Sequence, residues 1–347
     1  MENIIAIDVA SEVTTVYAVN RRGKLIFEGA VPTEIPSLKE VIRRVPKNRT
    51  LVFEECCQAD WLWCELKPFC SEVIVCDPRK NREKGQKSDR IDARKLADRA
   101  RIGGLSKVNH AEKTLQELHQ AVFCYQSLVE HSVRVKNQLQ AVFRSWGVRG
   151  AGKAYNSETR PKAIAKLPTC ALRIRAESLT KVLDEIDTQK SKALREMVKL
   201  ARGRPRYKEL RTIDGIGPVF AAYLVAFLGN PQRFRTRKQL WAYSGLAVTT
   251  YDSGEYEVVQ GVVKRKNRKS HTRGLVQAHN RHLKYVFKQV AMTLSRTKWR
   301  EKYLSLVERS KNPNNAQLTL ARKVAAIVLH IAKTGENYDV RKAFKQQ

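Results

Sequence analysis

The stretch "IIAIDVASEVTTVYAVNRRGKLIFEGAV" (residues 4–31) decides the fold. "IIAID" is a short β-branched run, and "TTVYAVN" (14–20) alternates as a half-buried strand does. "RRGK" is a turn, and "LIFEGAV" (25–31) is the returning strand. Working outward, "SLKEVIRRV" (37–45) reads as a helix, "TLVFEE" (50–55) as a strand and "ADWLWCELKPF" (59–69) as a helix. "EVIVCD" (72–77) is a further strand, followed by a helix from Ser88 to Arg101 with Ser88 or Asp89 as its N-cap.

The resulting order is β-β-β-α-β-α-β-α. A hairpin-built sheet that passes into βα units is the layout of an α/β ribonuclease H-like domain. In that layout the first and fourth strands are neighbours, and the closing helix packs near their ends.

Four carboxylates fall at informative places in this frame. Asp8 ends the first strand, Glu54 and Glu55 end "LVFEE", and Asp89 and Asp92 open the last helix. Residues at i and i+3 share a helix face, so Asp89 and Asp92 repel unless a cation lies between them. Hard divalent cations take oxygen ligands, and Mg²⁺ prefers carboxylates, waters and phosphate. Two such ions about 3.5–4 Å apart activate the attacking oxygen and stabilise the leaving oxygen of a phosphodiester. The competing reading makes Asp89 and Asp92 a capping pair partnered by Arg90 and Arg94. Alternation points Glu54 and Glu55 to opposite faces and leaves open which of them is the ligand.

Charge says what such a site would act on. Lys and Arg number 66 against 34 Asp and Glu, a net charge of +32. So large an excess favours a polyanion, and nucleic acid is the usual one. The longest apolar run, "PVFAAYLVAFLG" (218–229), is too short to span a bilayer, and "MENIIAIDVASEV" carries acids where a signal peptide has none. The expectation is a soluble, intracellular protein that is not associated with a membrane. The seven cysteines form no CxxC pair and lie in apolar stretches such as "WLWCELKPFC", so they read as buried free thiols.

Three regions follow from the pattern: 1–108 is the α/β domain, 109–203 a helical region and 204–347 a mainly α carboxyl-terminal domain. The tracts 112–146 and 177–201 carry apolar residues at helical spacing. They fit an antiparallel coiled-coil arm or an oligomerisation surface, and equally helices packed into one core. "GVRGAGKAYNSETRPKA" (147–163) between them reads as an exposed connection. "IDGIGPVFAAYLVAF" has the form of a helix-hairpin-helix, with Gly215 and Gly217 letting amides approach a phosphate, or of a plain αα-turn. "RFRTRKQLWAY" offers Arg233, Arg235, Arg237 and Lys238 beside Trp241 and Tyr243, suited to phosphates and stacking. "KRKNRKSHTR" (264–273) has six basic residues, Lys264, Arg265, Lys266, Arg268, Lys269 and Arg273, and no acid. His279 and His282 read as surface residues.

These residues resemble a family, the IS one-ten transposases, over nearly the whole chain. The carriers are "AIDVAS", "LVFEECCQADWL", "VIVCDPRKN", "KSDRIDARKLAD", "TIDGIGPVFAAYLVAFLGNPQRFRTRKQLWAYSGL" and "YDSGEYE". The resemblance implies a RuvC-like amino-terminal domain with a DEDD tetrad at Asp8, Glu54, Asp89 and Asp92, a two-metal Mg²⁺ site. Glu54 is preferred because the family places an acid directly after the strand's last apolar residue, here Phe53. The resemblance further implies a carboxyl-terminal serine nucleophile, Ser253 before Gly254, a structured guide RNA, donor and target DNA, and a homo-oligomer, dimer or tetramer. The chain departs from the pattern at Glu55-Cys56-Cys57, at Asp252-Ser253 and at Lys266. Read from its residues alone, "YDSGE" is a hairpin turn. The competing functions are a junction-resolving nuclease that uses water and a nucleic-acid-binding protein without catalysis.

Overall fold

The computed structural model describes residues 3–81, 89–108, 110, 112–250, 256–265 and 272–341. Ser88, Ser253, Lys266, Arg268 and Lys269 lie outside them, as do the side chains of Arg265 and Arg273. Contacts divide the chain into two units, Met1–Gln116 and Glu117–Gln347.

In the first unit, β1 (Asn3–Val9), β2 (Val13–Val19) and β3 (Leu25–Pro32) form an antiparallel meander. Helix α1 (Ile35–Arg44) leads to β4 (Arg49–Glu54), α2 (Ala59–Leu66) to β5 (Glu72–Cys76), and the one-turn α3 (Pro78–Asn81) precedes α4 (Asp89–Arg101). A short β6 (Lys107–Val108) closes the sheet, whose order is β3-β2-β1-β4-β5-β6. β4 is parallel to both β1 and β5, so the expected neighbours are neighbours. The ribonuclease H-like layout read from the sequence is this one, with β6 as an added antiparallel edge.

The near-continuous apolar runs of β1 and β4 follow from burial on both faces. Ile5, Ile7, Leu51 and Phe53 face α1 and α2 and pack with Leu38, Ile42, Leu62 and Leu66. Ile4, Ala6 and Val52 face the other way and pack with Leu96 and Ala97 of α4. Alternation thus sorts every residue of these strands to one helix layer or the other.

The second unit is mainly helical. Helices α5 (Lys113–Arg144) and α7 (Cys170–Arg202) run antiparallel: Ser132 meets Asp187, while Leu139 and Phe143 share a core with Leu172, Ala176 and Leu179. The connection expected to be exposed is instead packed. It holds a 3-10 turn (Ala151–Tyr155) and α6 (Arg160–Ile164), and Ala154, Ala163, Ile164 and Leu167 fill the core between the helices. Glycines and charges outnumber these anchors, so local composition hides them. Arg160 also clamps Asp184 bidentately at 2.6 and 2.7 Å.

A one-turn α8 (Tyr207–Leu210) precedes α9 (Pro218–Leu228). Gly215 turns between them at φ +78°, a conformation that needs glycine, and Gly217 is the N-cap of α9. Helix α9 is apolar all round because α7 and α11 (Arg281–Arg296) pack against it. Helix α10 (Arg237–Tyr243), opened by a Thr236–Gln239 capping box, and α12 (Arg300–Ser310) both pack on α13 (Pro313–Thr334). The "SGL" of the family series has a packing reason: Gly245 sits at φ +66°, and a Cβ there would stand 2.5 Å from the His279 ring.

Short strands flank the basic run. β7 (Val248–Thr250) pairs with β10 (Thr272–Leu275), and β8 (Tyr256–Val259) pairs with β9 (Val262–Arg265) across a Gln260–Gly261 turn with both φ positive. Of the cysteines only Cys76 is buried; Cys57, in the turn before α2, and Cys124 and Cys170 are exposed. No helix among the described residues is long and apolar enough to cross a membrane.

Candidate active site

The acids assemble from strand register. Ile7 pairs with Phe53 in the parallel β1–β4 ladder, so Asp8 and Glu54 are the next step along it. Each is one residue past an inward residue of the α1/α2 layer and therefore faces the α4 layer, like Ala6 and Val52. Helix α4 crosses β1 and β2 with Ala93, Leu96 and Ala97 buried. Asp89 and Asp92 extend that inward stripe by one turn toward the strand ends.

Electrostatics marks the same convergence. The half-buried Asp8 carboxyl is held above the usual carboxylate range by burial first and then by Asp89 and Asp92, with a Val9 amide hydrogen bond opposing. Asp77, at the end of β5, is the contrast: Arg79 bonds it at 3.1 and 3.2 Å and pulls it below the usual range. Asp8 thus sits in the negative potential of Asp89 and Asp92. An all-oxygen donor set of this kind fits a hard divalent cation such as Mg²⁺. Among the described residues no three His, Cys, Asp or Glu side chains stand close enough to hold an ion.

Glu55 has a separate employment. Its side chain accepts a 2.7 Å hydrogen bond from His110 Nε2, while His110 Nδ1 bonds Asp60 Oδ1 of α2 at 2.8 Å. Arg90 does not pair with Asp89 or Asp92 either; it binds Glu28 of β3, one bond at 3.0 Å, and pins α4 to the sheet. Sequence reasoning missed His110 altogether. Its partners lie 50 and 55 residues away, and no local pattern points to them.

In the second unit Arg235, Arg237 and Lys238 are exposed, as the nucleic-acid reading needs. Arg233 is half-buried, its guanidinium lying over the rings of Phe234 at 4.5 Å and Tyr243 at 4.4 Å. Trp241 Nε1 donates to the Arg322 carbonyl at 3.0 Å, and Arg237 lies over its ring at 5.6 Å. Gly217 faces open space, whereas a Cβ at Gly215 would touch Val290 at 3.4 Å. His282 is not a surface residue: its ring stacks on Phe227 at 4.3 Å and is buried, because α11 packs against α9.

Residues 207–304 match the model described as "Transposase IS116/IS110/IS902 family", and residues 69–146, which contain Asp89 and Asp92, match the DEDD transposase model of the IS110 type. The chain belongs to the IS116/IS110/IS902 transposase family. A transposase of insertion sequence IS1111A from Coxiella burnetii is 24% identical over 349 residues, covering 96% of this chain and 91% of its own length. A probable family 20 transposase of Pseudomonas aeruginosa is also 24% identical, over 75% of this chain and 78% of its own. The transposase of IS1328 from Yersinia enterocolitica shares 24% over 62% of this chain and 65% of its own. Membership makes the protein a transposase, an enzyme that cleaves DNA and transfers strands.

Proposed function

We propose that this transposase excises and inserts a mobile element by covalent strand transfer, with Asp8, Glu54, Asp89 and Asp92 as its Mg²⁺ site and Ser253 as its nucleophile. The observation that carries the acidic half is the Asp8 carboxyl, driven toward protonation by burial and by Asp89 and Asp92. A divalent cation relieves that cost, and its chemistry is to polarise a phosphodiester and lower the pKa of an attacking hydroxyl.

The residues divide the remaining work. Asp8 and Glu54 are held by strand backbone and Asp89 and Asp92 by the first turn of α4, so four oxygen donors are presented from rigid elements. Ser253 Oγ gives up its proton and attacks phosphorus, a new P–O bond forms, and the bond to the deoxyribose oxygen breaks, that oxygen leaving as a hydroxyl with a proton taken up in exchange. The energy of the ester is kept in the serine linkage, and a DNA hydroxyl reverses the step on a new partner. Exposed Arg235, Arg237, Lys238 and Lys264, with Lys266, Arg268 and Lys269, bind phosphates of DNA and of a structured guide RNA. Exposed Val133, Ile174 and Val182 on α5 and α7 are apolar side chains available to a second copy of the chain.

The test incubates the purified protein, its co-purified RNA and a plasmid carrying the element with Mg²⁺, then resolves protein–DNA adducts under denaturing conditions. Wild type yields an adduct, Ser253→Ala yields none, and Glu54→Gln yields neither adduct nor cleavage. Strand transfer by Ser253→Ala would replace the serine mechanism with a water-using nuclease. Unchanged cleavage by Asp8→Asn and Asp92→Asn would remove the acidic site.

A further inference from the structure

The contact that the acidic site does not use is the one behind it. His110 lies between β6 and α5 with its side chain only 4% exposed, and each of its ring nitrogens faces a carboxylate. Two hydrogen bonds from one imidazole to two acceptors require both nitrogens to carry protons, so the ring is an imidazolium. Burial opposes that charge, but the bonds to Asp60 and Glu55 outweigh it and hold the group at about 9. Gln116 secures the far anchor, its Nε2 donating to Asp60 Oδ1 at 3.3 Å. The Trp63 ring lies over the imidazole, centroids 6.3 Å apart.

The anchors decide what this contact holds. Glu55 is the residue after β4, and its amide donates to the Cys76 carbonyl of β5 at 2.9 Å. Asp60 is on α2, whose Leu62 and Leu66 pack on the sheet face that Phe53 enters. By strand alternation Glu54, one residue before Glu55 and two after Val52, belongs to the side of Val52, which packs on α4. The end of β4 therefore has its backbone held by β5 and its last side chain held by a cation on the α2 side.

We propose that His110 is a positioning residue for Glu54: by tying Glu55 to Asp60 it fixes the end of β4, so that Glu54 meets a divalent cation in one orientation. The inference rests on the reading of Glu54 as a metal-binding carboxylate. Loss of a group that hydrogen-bonds a metal ligand directly costs about 10–100-fold in metal affinity or activity, and His110, acting through Glu55, belongs at the low end of that range.

The test measures Mn²⁺ binding to the full chain by electron paramagnetic resonance, without DNA, for wild type, Glu54→Gln, His110→Ala, Glu55→Ala and the His110→Ala/Glu55→Ala double variant. DNA-duplex affinity in EDTA is measured in parallel. His110→Ala and Glu55→Ala are each expected to weaken Mn²⁺ by about tenfold, with the double variant no weaker than either, because both break one linkage. DNA affinity should not change. The Glu55 side chain is 42% exposed, so its variant keeps the test open if His110→Ala does not fold. Wild-type Mn²⁺ affinity in Glu55→Ala, or additive losses in the double variant, overturns the positioning role. If Glu54→Gln loses Mn²⁺ while His110→Ala and Glu55→Ala keep it, the inference alone fails. If Glu54→Gln itself binds like wild type, the metal reading of Glu54 fails and the inference falls with it.

Discussion

Asp8 and Glu54 lie one step beyond the Ile7–Phe53 pair of two parallel strands, on the sheet face that α4 covers. Two carboxylates so placed, with Asp89 and Asp92 above them, make an arrangement that costs stability in the absence of a cation. Function and stability should therefore separate at this point.

Asp8→Asn is expected to raise stability while abolishing metal-dependent cleavage. Removing one charge from a half-buried cluster relieves both the burial cost and the repulsion from Asp89 and Asp92. A gain of about 0.5–2 kcal/mol is the usual scale for such a relief. Calorimetry should show a higher melting temperature in EDTA. Mg²⁺ at about 100 times its Kd should stabilise wild type by about 2.7 kcal/mol and leave the variant unmoved.

The His110 contact makes the first unit sensitive to alkali. Its folded value of about 9 lies above the unfolded value of 6.5, so the folded state holds the proton more tightly. The stabilisation is complete below pH 6.5 and is lost as pH rises through 9. Thermal melts between pH 6 and 10 should show this loss in wild type, and His110→Ala should show a flatter profile.

His282 makes the second unit sensitive to acid, with the opposite sign. Burial, then Arg281 and His119, lower it to about 4 against Glu130, and it stays neutral in the stack. The unfolded chain takes up the proton near 6.5, so stability is lost as pH falls from there toward 4. His282→Phe keeps a flat ring on Phe227 and should resist urea better than wild type at pH 5. At pH 8 the two should differ by less than about 1.5 kcal/mol.

The arginines of "RFRTRK" should divide by role. Arg233 lies over two rings and is half-buried, so Arg233→Ala should lower the melting temperature by the equivalent of about 1 kcal/mol. Arg235→Ala and Lys238→Ala remove exposed charges and should leave melting unchanged. Each should instead reduce the salt slope of DNA binding by about 1. Filter binding across a salt series measures both.

Much of the first unit was legible because its signals are local. The alternation of "TTVYAVN", the "RRGK" turn and the apolar β4 each follow from a few adjacent residues, and they yielded the element order and the β1–β4 neighbourhood that the sheet shows. The same locality misled elsewhere. Residues 147–163 look like a loop, yet Ala154 and Ala163 are core. His282 looks like a surface helix residue, yet it stacks beneath α9 residue Phe227.

By itself the sequence determined the carboxylates, their places at strand and helix ends, the basic balance and the family motifs, since all of these are properties of residue type and spacing. Only tertiary structure decided that Asp8 comes within reach of the charges of Asp89 and Asp92, and that Glu55 turns toward His110 and Asp60. The reason is that facing is set by the register between strands distant in the chain, and a one-residue slip reverses every side chain.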